Sequence, residues 1–171
     1  MCGRFLSLSH TVHPVRNNDR MQKVLVVHHT VSPPLQELLE LVLAGLTGAA
    51  RVLDIKDLNV TTRAALTASA IDVLEADAIV LGTPANLGYM SGALKHFFDQ
   101  IYYPCLSETI GMPFGFYVHG NNDTVGAVRG IERIVTGLRW RAVRPPVTVI
   151  GPITRETKAE IEDLTGLLLA Q

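Results

Sequence analysis

From residue 23 onward the chain alternates short β-branched runs with longer amphipathic stretches. Residues 23–28 (KVLVVH) are apolar at nearly every position, the pattern of a strand buried on both faces. Residues 34–46 carry Leu35, Leu38, Leu39, Val42 and Leu46 at spacings of three and four, which predicts a helix with one apolar face. Residues 51–55 (RVLDI) read as a short second strand, 64–75 as a helix, and 78–82 (AIVLG) as a fully apolar third strand. After a break rich in Gly, Pro and Asn, Met90, Leu94, Phe97, Phe98 and Ile101 share one side of another helix, with Lys95 and Asp99 outside. Residues 113–119 (PFGFYVH) form the fourth strand. Asp123 can cap a helix reaching Leu138, with Val128, Ile131, Val135 and Leu138 inward. Residues 147–150 are the fifth strand and 154–170 a closing helix.

Five short apolar strands with intervening helices predict an α/β fold, a parallel sheet covered on both faces. Right-handed crossovers leave few topologies, and the expected one is a three-layer sandwich with strand order 2-1-3-4-5. Strands one and three then flank the switch point, so a ligand is expected beyond the C-terminal ends of strands one, three and four.

Composition narrows the partners. The 171 residues are 47% hydrophobic and 18% charged, which suits one compact domain and argues against disorder. A formal net charge of −1 offers no basic field for nucleic acid, and no strong negative field for basic redox partners either. Cys2 and Cys105 lie far apart and form no metal-spaced set, which leads to the expectation of a reduced, cytoplasmic protein. No apolar run suggests a membrane span, and residues 1–20 lack the apolar core of a signal peptide. That segment has little periodicity and is expected to be a disordered extension ahead of a domain at 21–171. Its opening MCGRF resembles the start of the SOS-response-associated peptidases, whose cysteine after Met is the nucleophile, but nothing downstream continues the likeness.

The loops after strands one, three and four carry the unusual residues. After strand one comes HHTVSPPLQ, where Thr30 and Ser32 supply hydroxyls and the following helix N-terminus favours an anion. Ser32 can equally be a simple cap before Pro33 and Pro34. After strand three comes TPANLGYMSG, residues 83–92, in which Pro84 stiffens the turn and Gly88 permits close backbone approach. After strand four comes HGNND, residues 119–123, which reads as a ligand contact through His119, Gly120, Asn121 and Asn122 or as a capped strand-to-helix turn. The adjacent His28 and His29 point to opposite faces of a strand, which argues against a shared metal.

Residues 82–99, GTPANLGYMSGALKHFFD, resemble the loop and helix of the NAD(P)H-dependent FMN reductase and quinone reductase branch of the flavodoxin-like proteins. The first loop is similar to the flavodoxin phosphate loop at Thr30 and Ser32 but departs from it at Pro33, Pro34 and Leu35, whose prolines remove two N–H donors. The resemblance implies a flavodoxin-like domain binding FMN. Its phosphate would lie at Thr30 and Ser32, its ring against Thr83, Pro84, Ala85, Asn86, Leu87, Gly88, Tyr89 and Met90, and its far edge at His119, Gly120, Asn121 and Asn122. It implies hydride transfer from NAD(P)H through FMN to a quinone, flavin or other small acceptor, with Tyr89 a candidate to steer the substrate ring. It also implies a homodimer or tetramer, with Phe97, Phe98, Tyr102 and Tyr103 available for apolar contact. Three alternatives stay open: an electron carrier without NAD(P)H activity, a cofactor-free domain, and a deazaflavin in place of FMN.

Overall fold

A computed structural model describes residues 22–171. The extension expected at residues 1–20, with its MCGRF opening, lies outside the described residues. The chain runs β1 (Gln22–His28), α1 (Pro33–Val52), β2 (Leu58–Ala64), α2 (Ala70–Leu74), β3 (Ala78–Asn86), β4 (Tyr89–Met90), α3 (Gly92–Cys105), β5 (Pro113–Gly120), α4 (Val125–Leu138), β6 (Arg141–Ala142), β7 (Val147–Ile150) and α5 (Arg155–Leu169).

One sheet holds all seven strands of the described residues. β2, β1, β3 and β5 lie side by side, and β6 and β7 both pair with β5 at the far edge, all in parallel. The two-residue β4 folds back antiparallel on β3. The five longer strands therefore follow the expected 2-1-3-4-5 order, and two short strands bring the sheet to seven.

The apolar run of β1 is explained by burial on both faces. Alternate side chains of a strand point opposite ways. Val24 and Val26 pack with Leu38, Val42 and Leu46 of α1 and Ile161, Leu164 and Leu168 of α5. Leu25 and Val27 face the other core, with Phe97 and Ile101 of α3 and Ile131 and Val135 of α4. Each such side chain contributes about 1.5–3 kcal/mol by leaving water. Cutting Leu38, fully buried, to Ala removes contacts from a layer that cannot fully collapse, a loss of about 2–5 kcal/mol.

Local sequence explains most element ends. α2 and α5 open with reciprocal capping boxes, Ser69 with Asp72 and Thr154 with Thr157. In α3, Ser91 caps through an N–H donated by Leu94 at 3.2 Å. Asp123 accepts from the Val125 N–H at 2.6 Å at the head of α4, although Thr124 is the capping position.

Several expected elements are corrected. The second strand is not at 51–55: α1 continues to Val52, because its buried stripe runs on through Ala50, and Asp54 turns the chain at φ 54°. The strand is Leu58–Ala64 instead, where β-branched Val60, Thr61 and Thr62 favour an extended edge. The helix expected over 64–75 shrinks to Ala70–Leu74, since Ala64 still belongs to β2. Phe97 and Phe98 are core residues, 0% and 1% exposed, and cannot offer an outer apolar surface; Tyr103 is 81% exposed. Trp140 is buried too, its Nε1 donating to Thr109 Oγ1 at 2.8 Å.

Candidate functional site

Sheet register brings three loops to one edge. His28 lies beside Gly82, and Pro84 beside His119, so the chain leaves β1, β3 and β5 at neighbouring points. Between these exits is a cleft of about 250 Å³. Val31, Ser32, Pro34 and Leu35 form one wall, Pro84, Ala85 and Asn86 a second, and His119, Gly120 and Asn121 the third. Among the described residues no Asp, Glu, Lys or Arg lines it, and no Phe, Tyr or Trp.

The wall after β3 is a short hairpin. Asn86 pairs with Tyr89, and between them Leu87 and Gly88 have φ 50° and 73°, the left-handed values of a two-residue type I′ turn. Thr83 closes its base: Thr83 Oγ1 accepts from the Ser91 N–H at 3.1 Å and lies 3.1 Å from Ser91 Oγ. Both residues are fully buried, so this hydroxyl pair acts on the shape of the hairpin. The outer side of the hairpin rests on α4. Gly126 meets the Gly88 carbonyl, and the Tyr89 ring covers Gly130, where an added Cβ would lie 2.5 Å from Tyr89 Cε2.

The first loop is sparing in donors. Ser32 is the N-cap of α1, but its side chain makes no capping bond. Pro33 and Pro34 have no N–H, and the Gln36 N–H is spent on Ser32 O at 3.0 Å. Thr30 Oγ1 is 2.8 Å from His28 Nδ1. Burial, and secondly the neighbouring His29, pull the His28 pKa below the usual imidazole value, which favours its neutral form. The His29 N–H donates to Gly82 O at 2.9 Å, while His29 Nδ1 is buried with no hydrogen-bond partner among the described residues.

In the third wall, His119 Nε2 donates to the Gly151 carbonyl at 2.8 Å, which fixes the ring at the cleft's edge. Gly120 is required by crowding: a Cβ there would lie 2.5 Å from Asp123 O and 3.3 Å from Ala85 Cβ.

Of the residues expected at the site, Ser32, Pro84, Ala85, Asn86, His119, Gly120 and Asn121 line the cleft together. Thr30, Thr83, Leu87, Gly88, Tyr89, Met90 and Asn122 are not among its lining residues. Thr83 and Met90 are buried, whereas Leu87 is fully exposed at the hairpin tip. Val31, Pro34 and Leu35 join the cleft without having been expected there; the helix start at the prolines was the available signal. A larger hollow of about 640 Å³ lies between α1 and α5, lined by Gly45, Gly48 and Gly166 among others. It is away from the three loops, and volume alone does not make it the site.

The doubly wound sheet in 2-1-3-4-5 order, with a cleft at its switch point, has the flavodoxin-like fold. An archaeal flavodoxin is similar at TM-score 0.71 and 15% identity over 87% of this chain and 97% of that one. An oxidoreductase from Corynebacterium diphtheriae gives 0.69 and 18% over 88% and 98%. The rubredoxin:oxygen oxidoreductase of Desulfovibrio gigas gives 0.72 and 10% over 86% of this chain, which spans only 35% of that larger chain. At these identities the likeness is one of fold. No curated protein sequence matches. The family model for NADPH-dependent FMN reductases matches residues 35–153, and the chain belongs to that family. It is an FMN-binding oxidoreductase.

The cleft fits that cofactor unequally along its length. Pro84 and Ala85 offer flat apolar contact, and the amides of Asn86 and Asn121 can answer a flavin's polar edge. At the other end the Ser32 hydroxyl and the N–H groups of Ser32 and Leu35 are what the head of α1 can give a phosphate. No helix among the described residues is long and apolar enough to cross a membrane.

Proposed function

We propose that the chain is an NAD(P)H-dependent reductase of quinones, flavins or other small electrophiles, working in ping-pong order over bound FMN. When bound, FMN supplies the hydride and electron chemistry. The chain supplies position. In this reading Ser32, with Thr30 behind it, holds the phosphate end, and Pro84, Ala85 and Asn86 seat the ring. His119, Gly120, Asn121 and Asn122 meet its far edge. Thr83, Leu87, Gly88, Tyr89 and Met90 act by holding the hairpin in place. No side chain need be a strong acid or base.

One observation carries the choice of reductase over carrier. Among the described residues no aromatic ring lines the cleft, and Tyr89, the aromatic of the neighbouring loop, is packed on Gly130 of α4. A flavin seated there keeps one face open to a nicotinamide and then to an acceptor. A homodimer or tetramer in the cytoplasm belongs to the same reading, with Tyr103 exposed for contact.

The test is anaerobic addition of NADPH, and separately NADH, to the FMN-loaded protein. Bleaching of the flavin bands within seconds to minutes by either nucleotide supports the reductase. A loaded protein that keeps its oxidised spectrum with both, yet accepts electrons from a separate reductase, is a carrier.

A further inference from the structure

We infer that the site recognises flavin by its ring and side chain rather than by its phosphate, and takes riboflavin nearly as well as FMN. The inference rests on the flavin reading above. A flavin phosphate carries close to two negative charges at pH 7 and needs donors or cations to replace its hydration. The head of an α-helix ordinarily offers four amides free of intrahelical partners. Here the four positions are Ser32, Pro33, Pro34 and Leu35, so two of the four N–H groups do not exist.

Nothing else among the described residues makes up the loss at that end. The wall is Val31, Pro34 and Leu35 with the single hydroxyl of Ser32, and among the described residues no Lys or Arg lines the cleft. The Thr30 hydroxyl is engaged by His28 Nδ1 at 2.8 Å, and burial disfavours the charged form of that imidazole. The cleft, at about 250 Å³, is also below the size usual for enclosing a whole cofactor, so only part of the molecule is gripped. The part best matched to these walls is uncharged.

Equilibrium titrations of the full chain with FMN and with riboflavin, followed by quenching of flavin fluorescence, test this directly. The wild-type dissociation constants are expected to agree within about tenfold, less than one charge-assisted hydrogen bond per lost amide would give. The variant P33A/P34A restores both N–H groups in a helix-compatible residue. It is expected to raise the preference for FMN over riboflavin at least about tenfold, a ratio that cancels any change in the apolar wall. Wild-type binding of FMN more than about tenfold tighter than riboflavin overturns the inference and leaves the flavin reading standing. So does a P33A/P34A variant whose FMN preference is unchanged. A folded wild-type chain that binds neither flavin overturns both.

Discussion

Gly126 of α4 sits directly beneath the carbonyl of Gly88, so close that a Cβ at 126 would occupy the space of the carbonyl oxygen. The obstacle is backbone, not the end of a flexible side chain. It ties the first turn of α4 to the tip of the hairpin that walls the cleft. Gly126→Ala must therefore push the hairpin away, and overpacking of this kind costs about 1–3 kcal/mol. Chemical denaturation should show that loss, and flavin affinity should fall with it. Wild-type stability in the variant would mean that the hairpin does not rest on α4.

The turn itself carries strain. Leu87 is a bulky residue at φ 50° and is fully exposed, so it takes the conformational penalty without the reward of burial. Leu87→Asn, a side chain that tolerates this region, is expected to raise stability by about 0.5–1 kcal/mol. A shift of the denaturation midpoint to higher urea, at unchanged slope, is the readout.

Tyr117 and Gly82 form a second fitted pair, the phenol lying over the glycine on the neighbouring strand. The Tyr117 hydroxyl is buried without a partner among the described residues, and burial pushes its pKa well above the usual value. The ring is needed there; the hydroxyl is not. Tyr117→Phe should be neutral or stabilising by up to about 1 kcal/mol, whereas Gly82→Ala should be strongly destabilising. Paired denaturation curves for the two variants separate the effects, and a destabilised Tyr117→Phe would reveal an unrecognised partner for the oxygen.

His28 sets a pH dependence. Its folded pKa is lowered, first by burial and then by His29, so the unfolded chain binds the proton more readily. Stability from this group is complete above the unfolded value near 6.5 and declines as pH falls below it towards the folded pKa. A stability profile of the wild type should therefore slope downward from pH 7 to pH 5, and His28→Asn should flatten that slope. An equal slope in the variant would assign the effect to other groups.

How far the sequence disclosed all this depends on the kind of burial. β1 and the start of α1 were legible because Val24 to Val27 and the Leu35–Leu38–Val42–Leu46 stripe repeat with the periods of buried elements. β2 was misplaced because it is a half-exposed edge strand, LNVTTRA, with little apolar signal, while the preceding Arg51–Val52 still belonged to a helix. At the site, topology placed the three loops, and seven of the expected residues do line one cleft. Direction was harder. That Thr83 turns inward to Ser91 and that Tyr89 lies on Gly130 depend on contacts made only when distant elements meet.

The central claim is that flavin binds in the cleft between the loops that follow β1, β3 and β5. The most direct measurement is a visible difference-spectrum titration of the full chain with FMN, beside the variant Asn121→Trp, which fills the cleft from an exposed loop position. Saturable change at about one FMN per wild-type chain, lost in a variant that keeps its far-ultraviolet circular dichroism, is the predicted result. A folded wild-type chain with no saturable change, or equal binding by Asn121→Trp, would contradict it.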